Sequence, residues 1–123
     1  MPLEHPLGLP RNRRLVNPIQ YQHVLKAGFR FGVGVYMVVA CPNALGSPRL
    51  GLAISKRYAR RAHDRNRLKR IARESFRNQG SALPAVDIVV LATAKASNAT
   101  NQTLFSALGQ AWNSIRNASW VRP

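Results

Sequence analysis

The sequence is poor in acidic residues and in side chains that hold metals. Among its 123 residues only four are acidic, namely Glu4, Asp64, Glu74 and Asp87, against 19 lysines and arginines. A two-metal nuclease needs several carboxylates that converge on one site, and these four are scattered along the chain. The three histidines are also far apart, without metal-ligand spacing. We therefore expect no cofactor or metal bound by this chain alone, and no catalytic side chains for phosphodiester cleavage.

Cysteine and long apolar runs are equally scarce. Cys41 is the only cysteine, which excludes an intrachain disulfide and a Cys-x-x-Cys zinc site. No apolar run reaches the ~20 residues that span a bilayer, and the first residues lack the basic-then-apolar layout of an export signal. We therefore expect a cytoplasmic protein with no membrane partner, in which Cys41 is a small buried side chain.

Positive charge is what the sequence has in excess. The net charge is +15, the isoelectric point is about 11.8, and arginine supplies 15 of the 19 cations. Ten of these cations and only two acids lie between Lys56 and Arg77, so that this segment alone has a net charge of +8. Guanidinium groups suit phosphate better than ammonium groups do. A polyanion bound to this segment would relieve its self-repulsion and release counterions.

Hydrophobic periodicity and capping signals predict an α/β (α+β) protein with the order helix, strand, strand, strand, helix, strand, helix. The first helix is expected to begin at Asn17-Pro18, where Gln20 completes a capping box, and to end at Gly28. A turn-rich segment over residues 42–48 predicts that the strands on either side of it pair as a hairpin. The other predicted elements are strands within 30–41, 49–56 and 87–94, a helix over 61–79 that stops at Gly80, and a helix over 101–117.

These elements predict a single domain over residues 17–117. Residues 1–16 form a basic, Pro-rich arm that we expect to be partly disordered, and residues 118–123 form a tail. In the 61–79 helix, the apolar residues fall on one side and the charged residues on the other. The side expected to be buried consists of Leu68, Ile71, Ala72 and Phe76.

Aromatic side chains indicate which nucleic acid this basic protein binds. Tyr21 lies on the first predicted helix, and Phe31 and Tyr36 lie on or near the predicted sheet. Bases that stack on such rings have to be unpaired. No helix-turn-helix, zinc-finger or basic-zipper pattern is present. RNA is therefore favoured over duplex DNA.

One segment carries a resemblance to a known family. The run RLGLAISKRYARRAHDRNRLKRIARESFR (residues 49–77), followed by LPAVDIVVLA (residues 83–92), resembles the protein subunits of bacterial ribonuclease P, and the similarity extends from about Arg14 to Ile115. The resemblance implies a two-layer α/β sandwich with a mixed central sheet and a left-handed β-α-β crossover. It also implies that the large RNA subunit, a magnesium-dependent ribozyme, removes the 5′ leader from precursor tRNA, while the protein assists.

The resemblance, taken together with the charge pattern and the aromatic residues, predicts two sets of RNA-binding residues. The residues expected at the catalytic RNA are Arg61, Arg65, Asn66, Arg67, Lys69, Arg70, Arg73 and Arg77. Those expected in a cleft that binds the leader are Tyr21, Leu25, Phe31, Tyr36, Lys56 and Arg57. At Leu25 many members of the family have an aromatic residue, so that apolar contact rather than stacking is expected there. The loop over residues 58–64 also departs from the common pattern by one extra residue.

Two other functions compete with this interpretation. A structural RNA-binding protein of the ribosomal type fits the charge and the size equally well, but has no reason to carry the Arg65-Asn66-Arg67 block followed by its strand. A self-sufficient nuclease is supported only by the neighbours His63 and Asp64, which are more typical of a helix start. Under the favoured interpretation the partners are the catalytic RNA and precursor tRNA, and no obligate protein partner is inferred.

Overall fold

The structure, a computed structural model, describes residues 9–79 and 82–119 and has helices packed on a four-stranded sheet. The α/β fold and the predicted order of helices and strands are confirmed. The predicted stop at Gly80, the first half of the arm and most of the tail lie outside the described residues. After a short 3-10 turn over Arg11–Arg13, the elements are α1 (Pro18–Ala27), β1 (Phe29–Gly32), β2 (Tyr36–Pro42), β3 (Arg49–Ala53), α2 (Ala62–Gln79), β4 (Val86–Ala92) and α3 (Asn101–Arg116).

The strands lie in the order β1-β2-β4-β3, so the hairpin predicted across residues 42–48 is wrong. β4 lies between β2 and β3, antiparallel to β2 and parallel to β3. The adjacent antiparallel pair is β1 with β2. Turn residues show that the chain reverses, but they do not determine which strand it then pairs with. Parallel neighbours need a long crossover, and α2 supplies it between β3 and β4; the left hand of that crossover stays a prediction.

Helix α1 begins and ends where its sequence predicts, but the reason for its end at Gly28 differs from the predicted one. The Asn17 side chain accepts a hydrogen bond from the Gln20 backbone (3.0 Å), and the Gln20 side chain accepts one from the Asn17 backbone (3.2 Å), which forms a capping box. Gly28 ends the helix with φ −81°, so no left-handed conformation is involved. A Cβ atom at Gly28 would lie 2.5 Å from the Val24 carbonyl oxygen and 2.7 Å from Val39 Cγ1. Close contact between α1 and the sheet therefore requires glycine here.

Alternation along the strands divides the apolar residues between the two faces of the sheet. The larger core lies under α2 and α3, where the fully buried Phe76 and Trp112 rings meet edge to face at 6.0 Å. Trp112 donates its indole N–H to Ser75 Oγ at 2.8 Å, which satisfies both buried polar groups. The opposite face carries a smaller cluster under α1, formed by Leu15, Val24, Val39, Cys41 and Val89. α1 therefore covers only part of its face.

The second half of the predicted arm packs against the domain. Leu9 and Leu15 are buried, and the Leu15 backbone donates a hydrogen bond to the Leu50 carbonyl at 3.0 Å. The Arg13 guanidinium lies over the Phe76 ring, 5.4 Å from its centre, a favourable cation–π distance. Residues 9–16 therefore extend the β3 side of the sheet.

One buried ion pair fixes the loop between β2 and β3. Asp87 on β4 accepts hydrogen bonds from Arg49 Nε (2.9 Å) and Nη2 (2.7 Å), and from Asn43 Nδ2 (2.8 Å). The hydrogen bond to Asp87 raises the pKa of Arg49. Asn43 also donates to the Ser47 carbonyl at 3.1 Å. Asp87 thus accepts three hydrogen bonds, which compensate the burial of its charge.

Substituting Gly28→Ala is expected to destabilise the protein by about 1–3 kcal/mol, because the added methyl group overlaps atoms of the packed sheet. Gly109→Ala in α3 is the matched control. A Cβ atom there meets nothing within 4 Å, and alanine favours the helix by roughly 0.5–1 kcal/mol. Urea denaturation of both variants measures the difference. A Gly28→Ala variant as stable as Gly109→Ala would contradict the packing argument.

Candidate nucleic-acid interface

Helix α2 separates its buried and charged residues onto opposite faces. Leu68, Ile71, Ala72, Ser75 and Phe76 are buried, as the periodicity predicts for the four apolar members. The opposite face carries Asn66, Arg70, Arg73 and Arg77, at intervals of four, three and four residues. At 3.6 residues per turn these side chains form one row along the helix, about 16 Å long. We call this set the α2 row.

The α2 row has no acidic partner among residues 9–79 and 82–119. The ion pairs there are Arg49 with Asp87 and His63 with Asp64. Burial lowers the pKa of Arg73, which forms no ion pair in the described residues. Three arginines along one face of a helix, without ion pairs, are the electrostatic pattern of a phosphate-binding surface.

Arg65 and Arg67 lie on the flanks of α2 and are bonded to neighbouring loops. Arg65 Nη1 donates to the carbonyl oxygens of Ala59 and Arg60, both at 2.9 Å. Arg67 donates to Asn101 Oδ1 at 2.6 Å and to two loop carbonyl groups at 3.1 and 3.2 Å. The structure therefore separates these two arginines from the α2 row, although the sequence groups all of them together.

Beside α1, one face of the sheet carries a strip of apolar side chains that are only partly buried. Half-buried Tyr21 and Leu25 form its α1 side. Its floor consists of Met37, Leu91 and Ala53, which are direct neighbours across β2, β4 and β3. We call these five residues the α1 groove. The three floor residues were missed from the sequence, although the alternation within β2 places Met37 on the same face as Val39 and Cys41.

Tyr21 is held flat against β3. Its hydroxyl oxygen accepts a hydrogen bond from the Leu52 backbone at 3.1 Å. A Cβ atom on Gly51 would lie 2.8 Å from the Tyr21 ring, so the ring fits only because that residue is glycine. The ring is thus fixed in orientation and only partly buried, and a base could stack on such a ring.

Two aromatic residues assigned to the cleft lie on the other face of the sheet. Tyr36 is fully buried in the core under α2 and donates its hydroxyl to the Leu68 carbonyl at 2.9 Å. The same burial raises the pKa of Tyr36. Phe31 is opposite Val38 in the sheet and packs against the same core. The correction follows from the two-residue period of a strand, because Tyr36 and Met37 must point to opposite faces.

Cations lie beside Tyr21 on its α2 side and in the loop at the end of β3. Lys56 and Arg57 are exposed in the loop that follows β3. Toward α2, a cleft of about 250 Å³ lies between Tyr21 and the cations Arg14, Lys69 and Arg73, with leucines of β3 and of the arm as its walls. Lys69 and Arg73 of α2 therefore line the same cleft as Tyr21. Arg61 is exposed just before α2.

The competing nuclease site would depend on the neighbours His63 and Asp64. His63 Nε2 lies 3.3 Å from Asp64 Oδ1, and the His63 side chain is 73% exposed. Within the described ranges, no three residues of the His, Cys, Asp and Glu types are grouped so that they could hold a metal ion. In the same ranges, no helix is both long and apolar enough to cross a bilayer.

Comparisons with known proteins agree on one family. The sequence model of the Ribonuclease P family matches residues 9–116. The ribonuclease P protein component of Chromohalobacter salexigens is 49% identical over 109 residues, which are 88% of this chain and 85% of that protein. The protein component of Escherichia coli O157:H7 is 42% identical over 106 residues, 86% of this chain and 89% of that protein.

Solved structures agree with this result and with the α/β fold. The RNase P protein of Staphylococcus aureus has a TM-score of 0.78 at 28% identity, and the match covers 85% of this chain and 98% of that one. The RNase P protein of Thermotoga maritima has a TM-score of 0.75 at 27% identity, covering 83% and 96%. The chain therefore belongs to the ribonuclease P protein family, and is the protein subunit of a holoenzyme in which the RNA performs the chemistry.

Proposed function

We propose that the protein binds the catalytic RNA of ribonuclease P through the α2 row, and the 5′ leader of precursor tRNA in the α1 groove. The observation that carries this proposal is the chemical difference between the two surfaces. One is a line of guanidinium groups on a rigid helix. The other is a strip of partly buried apolar side chains with one fixed aromatic ring, beside which cations lie.

The two surfaces suit two kinds of RNA. A folded RNA presents phosphates on its outside and hides its base faces, so a charged row without aromatic residues suits it. An unpaired leader exposes its bases, which stack on aromatic rings with little regard for sequence. Tyr21 supplies one such ring, while Leu25, Met37 and Leu91 supply apolar contact.

No residue of the chain is given a chemical role in bond cleavage. We infer that magnesium is bound by the RNA partner, and that the protein contributes by holding the substrate and by offsetting phosphate repulsion. The lone buried thiol of Cys41 suits a reducing compartment, so that a cytoplasmic location is proposed as well.

Cleavage of a precursor tRNA at low magnesium tests the proposed function directly. The lanes contain catalytic RNA alone, protein alone, and both together. We expect cleavage at the mature 5′ end only where both are present, because at low magnesium the RNA alone repels its substrate. Cleavage by the protein alone, or no effect of the protein on the RNA, would contradict the proposal.

Arg70→Ala is expected to weaken binding to the catalytic RNA and to reduce the slope of log K against log salt by about 0.7–0.9, because one phosphate contact is lost. Lys26→Ala is the control, since it removes the same charge from an exposed position at the end of α1, away from the α2 row. Titrations of the RNA at several salt concentrations measure both slopes. Equal slopes for the two variants would show that net charge, and not the row, determines binding.

Tyr21→Ala is expected to cost the holoenzyme about 1–3 kcal/mol of affinity for precursor tRNA, the value of one stacked base. Affinity for mature tRNA, which lacks the leader, should stay at the wild-type value. Tyr21→Phe is the matched control, because it keeps the ring and loses only the hydrogen bond from Leu52. Equal losses for the two tRNA forms would overturn the assignment of the α1 groove to the leader.

A further inference from the structure

We propose that Arg65 and Arg67 act as positioning residues, which clamp the loops over residues 54–61 and 93–100 and thereby fix the cations at the rim of the α1 groove. The inference rests on the proposed role of that groove in binding the leader. It differs from the assignment made from sequence, in which both arginines contact the catalytic RNA. The inference is drawn from the hydrogen bonds of the two guanidinium groups.

Arg67 joins three segments of the fold. From α2 its Nη2 donates to the carbonyl oxygens of Ser97 (3.2 Å) and Ala99 (3.1 Å), and its Nη1 donates to Asn101 Oδ1 (2.6 Å) at the start of α3. The planar guanidinium fork is suited to several acceptors at fixed angles, which an ammonium group is not. These bonds hold the loop over 93–100 against α2.

The two loops are also joined to each other. Ser97 Oγ donates to the Tyr58 carbonyl at 2.8 Å, so the loop that Arg67 holds is bonded to the loop after β3. Arg65 also holds that second loop, through hydrogen bonds to the carbonyl oxygens of Ala59 and Arg60. Ala59 and Ala96, one in each loop, are fully buried. The loops thus form one packed unit, which we call the loop platform.

The loop platform carries the rim cations of the α1 groove. Lys56, Arg57 and Lys95 are all exposed on it. Since β3 and β4 are parallel neighbours, the loops that follow them leave the same edge of the sheet. This is the edge at which the floor residues Ala53 and Leu91 lie. The distance between the apolar floor and the rim cations is therefore determined by the platform.

Bound phosphates benefit from cations that are already in place. If the platform were loose, the rim side chains would have to be ordered when the leader binds, and each ordered side chain lowers affinity about two- to tenfold. A positioning role therefore predicts a loss that depends on the leader. A direct contact of Arg67 with the catalytic RNA predicts a loss that does not.

Two uncharged substitutions test the clamp without removing a cation. Asn101→Ala removes one acceptor of Arg67, and Ser97→Ala removes the bond to Tyr58. In holoenzyme rebuilt with each variant, we expect affinity for precursor tRNA to fall about three- to tenfold, with unchanged affinity for mature tRNA and for the catalytic RNA. Ser106→Ala, at an exposed position of α3, is the control and should match the wild type in all three measurements.

Arg67→Lys completes the test, because it keeps the charge and loses the fork. The clamp predicts the same leader-dependent loss as for Asn101→Ala, with the salt slope of catalytic RNA binding unchanged. If Arg67→Lys, Asn101→Ala and Ser97→Ala all bind precursor tRNA as tightly as the wild type does, the inference is overturned. The proposed function would then stay intact. A wild-type holoenzyme that binds precursor and mature tRNA equally would overturn the proposed function, and the inference with it.

Discussion

Uncompensated positive charge is the constraint on which the rest of this structure depends. With 19 cations and four acids, the fold has few carboxylates with which to pair its arginines. One of them, Asp87, forms an ion pair with Arg49, and this pair holds the β2–β3 loop in place. Elsewhere, backbone carbonyls and side-chain amides accept from the guanidinium groups, as at Arg65 and Arg67. The cations of the α2 row form no such pair among the described residues and are available to bind phosphate, and the helix keeps them at fixed spacing.

The two faces of the sheet have different roles. One face packs against α2 and α3 in a hydrophobic core that includes Tyr36, Phe76 and Trp112. The other face is covered only in part, by the ten-residue helix α1, and the uncovered strip becomes a groove. The parallel pairing of β3 with β4 brings two loops to one end of that strip. The positions of the charged helix, the groove and its rim therefore follow from one topology. In it, α2 connects the two parallel strands.

Local signals predicted the elements and their boundaries well, because they depend on neighbours in sequence. The capping box at Asn17 and the buried stripe of α2 are of this kind. The strand order could not be predicted this way, since residues 42–48 show only that the chain turns. Tyr36 was assigned to the wrong face because its aromatic type was weighed without the register of β2. The hydrogen bonds of Arg67 reach residues up to 34 positions away, which no spacing rule contains.

Cross-linking tests most directly whether α2 and the α1 groove bind different RNA molecules. Cys41 is buried and burial raises the pKa of its thiol, so a cysteine placed on the surface is the reactive one. A photoreactive group attached at Asn66→Cys, on α2, should label the catalytic RNA in the assembled complex with precursor tRNA. The same group at Ala53→Cys, in the groove, should label the 5′ leader. Labelling of the same RNA from both positions would contradict the account.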